Sequence, residues 1–178
     1  MKKLTKVELL SQIENVQNNF ILGLSAISVL SEPFAVAHLQ KSNCVFGKHV
    51  VDFHQVASLL VNVTDRNSAL KEFTTMLIRG LIKESYEVVN AYTKSTQQRE
   101  EFRKQPWFQF YRLIRNCVSH NFHFDFRKSD KKMLPVSWRG KIIDSSLDQQ
   151  SLDISFLGYD GVWELFSDLK SFVNEQLK

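Results

Sequence analysis

The stretch PWFQFYRLIRNCVSH, residues 106–120, decides the fold, because its apolar and polar residues separate onto two sides of a helix. Apolar side chains project within an arc of about 120°; they are Trp107, Phe110, Tyr111, Ile114, Cys117 and Val118. The other side carries Arg112, Arg115, Asn116, Ser119 and His120. Pro106 suits the first turn of a helix. We therefore predict a helix to about residue 121, with one buried face and one chemically rich face.

The same periodicity predicts further helices on both sides of this one. Apolar residues three and four positions apart indicate amphipathic helices over 4–30, over 68–94 and from Val162 to Val173. The stretch 34–63 is less regular and predicts only a short second helix, near Val50–Leu60. The polar residues 96–104 are predicted to be a linker or a helix end.

Residues 135–157 follow a different pattern, in which apolar and polar residues alternate. Val136, Trp138 and Ile142 are followed by a second alternating set that includes Ile154 and Phe156. This alternation predicts a β-hairpin between helices. The expected fold is mainly α: one domain over 1–178, a bundle of four to five helices with a small β-hairpin insertion before the last helix.

Composition excludes several classes of protein. The two cysteines, Cys44 and Cys117, are far apart, which argues against a disulfide scaffold and a cysteine zinc site. Polar residues follow Met1-Lys2-Lys3 too closely for a signal peptide. No apolar run approaches the roughly 18 residues of a membrane span. We therefore expect a cytoplasmic protein with no membrane partner. Phosphate-loop, hydrolase-elbow and zinc-protease signatures are missing, so ATPase, α/β-hydrolase and metalloprotease functions are excluded.

Positive charge is concentrated around the central helix. Residues 101–141 contain ten basic and three acidic residues, a net charge of +7, whereas the remainder of the chain carries −3. Basic groups neutralise phosphates, and aromatic faces stack on unpaired bases. The predicted RNA contacts are Arg127, Lys128, Lys131 and Lys132. The interleaved aromatic residues are Phe122, Phe124, Phe126 and Trp138. The alternative is a solvated basic loop whose aromatic side chains pack inward.

Arg115 and His120 are the candidate catalytic pair. Histidine exchanges protons near neutral pH, and the arginine fork matches a phosphate. RNA cleavage needs a base for the ribose 2′-OH, an acid for the leaving oxygen and a cation for the phosphorane charge. Asn116, four residues before His120, shares its helix face and is predicted to orient the imidazole or a phosphate oxygen. Arg115 projects about 140° from His120, so we expect two chains to complete the site across a two-fold axis.

This pattern resembles the HEPN superfamily, the higher eukaryotes and prokaryotes nucleotide-binding domains. The family signature is an arginine, a polar residue and a histidine after four to six positions, matched here by Arg115, Asn116 and His120. The resemblance implies a helical fold, a homodimer with a composite site, and a metal-independent endoribonuclease without a cofactor. It also implies a role in toxin–antitoxin or antiviral defence, with an antitoxin or defence protein as a further partner.

Supporting residues are expected around the pair. The family often keeps an acidic or polar residue on an earlier helix, and Glu84 is our candidate, paired with Arg115 or Arg112. Glu84 falls within the predicted apolar arc of its helix, although an edge position explains it equally well. Arg112 is expected to contact a phosphate or form an ion pair, and Ser119 lies beside His120.

Other roles for His120 stay open at this point. A histidine at a helix end also stabilises the helix dipole and the free carbonyls. His120, His123 and Asp125 together have a spacing that a zinc ion could use, although no other Cys or His cluster supports a metal. The rival functions are a non-catalytic RNA-binding or protein-interaction module, and a purely structural interaction module. For the nuclease, products with 2′,3′-cyclic phosphate ends are expected.

Overall fold

A computed structural model describes residues 4–30 and 32–178, and in these residues the chain is mainly helical, as predicted. Two small antiparallel hairpins accompany the helices. In chain order the elements are α1 (Lys6–Leu30), α2 (Pro33–Leu39), β1 (Asn43–Phe46), β2 (His49–Asp52), α3 (His54–Val61), α4 (Val63–Ser95), α5 (Arg99–Arg103), α6 (Phe108–Ser119), α7 (Lys128–Lys131), β3 (Val136–Trp138), β4 (Lys141–Ile143), a 3-10 turn (Ser145–Leu147) and α8 (Ile154–Glu175).

The chain divides into two compact units. The first unit contains the chain up to Asn18 together with Ile78–Lys178, and the second contains Asn19–Leu77. The division falls within the long helices α1 and α4. The single domain over 1–178 stays a prediction.

The core of the first unit forms around the apolar face of α6. Tyr111 is fully buried, and its hydroxyl lies 2.8 Å from Ser85 Oγ and donates to the Ile82 carbonyl at 3.3 Å. Burial raises the pKa of Tyr111 well above its ordinary value. Its ring pairs with those of Tyr86 and Trp107. The aromatic cluster continues through edge, tilted and stacked pairs to Phe102, Phe108 and Phe172. The predicted buried face of α6 is confirmed.

The hairpin before the last helix is also confirmed, but it is shorter than predicted. Strands β3 and β4 pair from Val136↔Ile143 to Trp138↔Lys141 around a two-residue turn with positive φ. Ile154 and Phe156, expected in a strand, instead lie in the first turn of α8. The Asp153 carboxylate accepts from Ser155 N–H at 2.7 Å. This N-cap favours the helix over continued alternation.

Helix α4 begins five residues before the predicted start. The Asn62 side-chain oxygen accepts from the backbone N–H groups of Thr64 and Asp65, at 2.9 and 3.2 Å. These bonds satisfy N–H groups that a helix start otherwise leaves unpaired. The segment 96–104 contains the short helix α5, whereas it was predicted to be a linker or a helix end.

The second unit contains a hairpin that the sequence pattern did not predict. Strands β1 and β2 pair from Asn43↔Asp52 to Phe46↔His49. Its apolar residues Val45, Phe46 and Val50 are 62–64% exposed. A two-stranded sheet of this kind is only marginally stable in water without a covering surface.

Exposed apolar residues are concentrated in this second unit. Of the 19 large apolar side chains that are exposed in the described residues, 14 lie in Asn19–Leu77. The same unit carries four acidic and four basic residues. The second unit therefore has an unusually apolar surface, and its acidic and basic residues are equal in number.

Candidate functional site

The polar face of α6 lies at the surface of the first unit, as predicted. Arg112, Arg115 and Asn116 are partly exposed, and Ser119 and His120 are exposed. Because the opposite face is fixed in the aromatic core, the position of these side chains is set by the rotation of α6.

Arg115 is held by groups from both α4 and α6. Its guanidinium forms an ion pair with Glu87, and Nη1 donates to Asn116 Oδ1 at 2.9 Å. The guanidinium carbon also lies 5.6 Å from the centre of the Tyr86 ring. The side chains of Arg115 and Glu87 are 27% and 35% exposed. Arg115 is thus preorganised at the edge of the core, with its charge largely compensated by one carboxylate.

The prediction that Glu84 pairs with Arg115 or Arg112 is wrong. Glu84 is exposed, and the arginines it was expected to pair with have other carboxylate partners: Glu87 for Arg115 and Asp130 for Arg112. The buried stripe of this half of α4 includes Ile82, Ser85, Tyr86 and Val89. Glu84 projects away from that stripe, whereas Glu87 lies at its margin facing α6.

Asn116 supports Arg115. Its side-chain oxygen accepts from Arg115, so the prediction that it orients the imidazole of His120 is not met in this arrangement. Ser119 is exposed, and its hydroxyl donates to the Arg115 carbonyl at 2.8 Å, one turn earlier in α6. Both residues therefore stabilise the segment around Arg115.

His120 ends α6. Its backbone N–H bonds the carbonyls of Asn116 and Cys117, at 3.1 and 3.0 Å. The imidazole is exposed and forms no hydrogen bond or ion pair with any residue of 4–30 or 32–178. Asn121 and Phe122 follow with φ of 55° and 58°, so the chain turns sharply directly after the histidine. Both imidazole nitrogens are available to a ligand.

Arg112 forms the most buried ion pair on this face. Its Nη2 lies 2.7 Å from Asp130 Oδ1, and the Asp130 side chain is only 2% exposed. The other carboxylate oxygen of Asp130 accepts from Arg127 N–H at 3.0 Å. Arg112 is therefore an ion-pair partner that fixes α7 against α6, one of the two roles expected for it.

The basic residues after α6 are exposed, as RNA contacts must be; they are Arg127, Lys128, Lys131 and Lys132. Lys131 is engaged with Asp148, with Nζ 2.5 Å from Oδ2. The hydrogen bond from Lys131 is the main reason why the pKa of Asp148 lies below its ordinary value.

The aromatic residues of this segment are not available for stacking. Phe122, Phe124, Phe126 and Trp138 are 8%, 2%, 6% and 7% exposed, respectively. The expectation that they stack on unpaired bases is therefore wrong, and their inward packing agrees with the alternative. Alternation in the stretch 122–126 places the phenylalanine rings in the core and the polar side chains outside.

The histidine and aspartate of the zinc alternative have protein partners. His123 Nδ1 lies 3.4 Å from Ser151 Oγ, and Asp125 accepts from Gln149 Nε2 at 3.1 Å. Within the described residues no group of three or more His, Cys, Asp or Glu side chains could hold a metal ion.

Burial raises the pKa of Cys117 to about 12, so its thiol is not a nucleophile at neutral pH.

Comparisons with known proteins add no family assignment. No family model, no curated protein and no solved structure matches the chain. Across residues 4–30 and 32–178, none of the individual helices combines the length and the apolar character that a membrane span requires.

Glu87 and Glu84 offer a matched test of this geometry. We expect Glu87→Ala to lower the free energy of unfolding by about 1–2 kcal/mol, because the partly buried Arg115 loses its partner. Glu84→Ala should change it by less than about 0.5 kcal/mol. Urea denaturation followed by circular dichroism measures both. Equal effects of the two substitutions would contradict the ion pair.

Proposed function

We propose that this chain is a metal-independent endoribonuclease of the toxin or antiviral-defence type, acting in the cytoplasm as a homodimer of HEPN-like chains. The observation that supports it best is the arrangement of α6. Arg115 is held in place by Glu87 and Asn116, and the unengaged imidazole of His120 lies five residues later at the helix end. An acidic residue on an earlier helix is a feature of the family, and Glu87 supplies one here.

In the proposed reaction, His120 makes one of the two proton transfers: it removes the proton from a ribose 2′-OH or donates one to the leaving 5′-oxygen, and solvent water makes the other transfer. Arg115 stabilises the charge that develops on the phosphorane. Asn116 positions Arg115. The exposed groups of Arg127, Lys128 and Lys132 attract the RNA backbone. The 2′-oxygen attacks phosphorus and the P–O5′ bond breaks, which leaves a 2′,3′-cyclic phosphate and a 5′-hydroxyl.

The catalytic role of His120 is tested by one substitution. His120→Ala should reduce cleavage of single-stranded RNA in EDTA by about 10²–10⁴-fold, because no other group replaces its proton transfer. Lys94→Ala, at an exposed residue of α4 in the first unit, is the control and should cleave normally. Normal cleavage by the His120 variant would refute the assignment.

The composite site is tested by mixing two inactive variants. Arg115→Gln and His120→Ala homodimers should each be inactive. After subunit exchange at equal concentrations, half of the dimers are mixed and each has one intact Arg115–His120 pair. We expect about a quarter of the unmodified activity. No recovery, with exchange verified by native mass spectrometry, would show that each chain works alone.

The proposed dimer has a candidate surface in the second unit. Its 14 exposed large apolar side chains, each 38–69% exposed, supply on the order of 1,000 Å² of apolar surface. A specific interface buries about 800 Å² on each partner. A second copy is the occupant that we propose, because equal numbers of acidic and basic residues let this surface meet itself without net repulsion.

Phe46, 64% exposed on β1, is the residue to change. Phe46→Glu should weaken dimerisation at least about tenfold, because a charge would be buried in an apolar interface. Met133→Glu, at an exposed apolar residue of the first unit, should leave the dimer unchanged. Sedimentation equilibrium measures both. A monomeric unmodified chain, or a Phe46→Glu dimer of unchanged affinity, would contradict this surface.

The rival is a non-catalytic RNA-binding or protein-interaction module, such as a partner of an antitoxin or defence protein. The compensation of Arg115 by Glu87 favours it, because an already paired arginine attracts a phosphate less strongly. RNA binding without cleavage by the unmodified chain would identify this module.

A further inference from the structure

A third arginine of the first unit, Arg79 on α4, contacts the two residues that follow His120. Its Nη2 donates to Asn121 Oδ1 at 3.2 Å. Its guanidinium carbon lies 5.4 Å from the centre of the Phe122 ring. Arg79 is therefore held beside the end of α6, although it is 36 residues before Arg115 in the sequence.

Arg79 differs from the other two arginines in its charge balance. Asp130 pairs with Arg112 and Glu87 pairs with Arg115, whereas no carboxylate of the described residues pairs with Arg79. The Nε of Arg79 is buried and has no hydrogen-bond partner there, and the same holds for the Nε of Arg115, so the missing carboxylate is what distinguishes Arg79. A guanidinium has five N–H donors, and the hydrogen bond to Asn121 uses one of them. The Arg79 guanidinium is therefore partly buried without a carboxylate partner, and an anionic ligand would compensate its charge.

The backbone that Arg79 contacts is itself unusual. Asn121 and Phe122 both have φ near +55°, a region that asparagine adopts readily and phenylalanine rarely. Phe122 is held there by burial of its ring, whose face Arg79 covers. Two such residues directly after His120 fix the direction of the chain at the proposed site.

We propose that Arg79 forms a phosphate subsite next to His120 and binds the backbone of single-stranded RNA. This subsite rests on the proposed function. Phe122 supports the plane of the guanidinium, Asn121 orients it, and the N–H groups of Nη1 and Nη2 that Asn121 does not use donate to two oxygens of one phosphate. Arg79 is a binding and positioning residue, and it supplies the uncompensated positive charge that Arg115, paired with Glu87, does not.

The test uses an RNA that cannot be cleaved, a short single strand with 2′-O-methyl riboses, bound to the full chain at several salt concentrations. Arg79→Gln should raise Kd about tenfold and reduce the slope of log Kd against log salt by about 0.7, because one phosphate contact is lost. Arg79→Lys, which keeps the charge, should retain the slope. Lys94→Gln removes an exposed charge farther along α4 and should change Kd less than about twofold.

A second measurement covers the case in which Arg79→Gln does not fold. In the unmodified protein, the NMR signal of Arg79 Nε–H should shift when this RNA is added, and that of the internally paired Arg112 should not. An unmoved Arg79 signal, or a folded Arg79→Gln variant with unchanged Kd and salt slope, would overturn the subsite. Cleavage of ordinary RNA is scored separately: Arg79-dependent binding without any cleavage would refute the nuclease and retain the subsite.

Discussion

The burial of Tyr111 against Ser85 fixes the rotation of α6 on α4, and the polar groups of the candidate site depend on that rotation. The ring is fully buried, and its hydroxyl is satisfied by the Ser85 side chain and the Ile82 carbonyl. A rotated α6 would leave this hydroxyl unpaired in the core. With the rotation fixed, Arg115 meets Glu87 one turn later, and His120 ends the helix at the surface.

Charge compensation then separates the arginines into two groups. Arg112 and Arg115 are neutralised within the first unit and stabilise it, and Lys131 is paired with Asp148, whereas Arg79, Lys128 and Lys132 keep charge that a nucleic acid could use. The net charge of the segment is therefore a poor guide to which cations contact a ligand. Whether a given cation can contact a ligand depends on whether a carboxylate of the protein already pairs with it.

The sequence allowed α6 to be predicted well, because twelve residues with a clear 3.6-residue period leave little choice of face. It misled at Glu84 because the predicted stripe ran from Leu70 through Leu81 to Tyr92, whereas the buried stripe of this half of α4 is centred about 90° away and includes the polar Ser85. The hairpin 43–52 escaped prediction because neither strand buries a face and so neither shows alternation. The acid that pairs with Arg115 depends on a contact between helices, which no local pattern encodes.

We propose that the polar face of α6 cleaves RNA through the ribose 2′-hydroxyl. The most direct measurement compares a short RNA with the same RNA carrying a single 2′-deoxyribose at the cleaved position, in EDTA, with product ends identified by ³¹P NMR. We expect a 2′,3′-cyclic phosphate from the first RNA and no cleavage at the substituted position of the second. Cleavage at the deoxyribose, or products with 5′-phosphate and 3′-hydroxyl ends, would contradict this proposal.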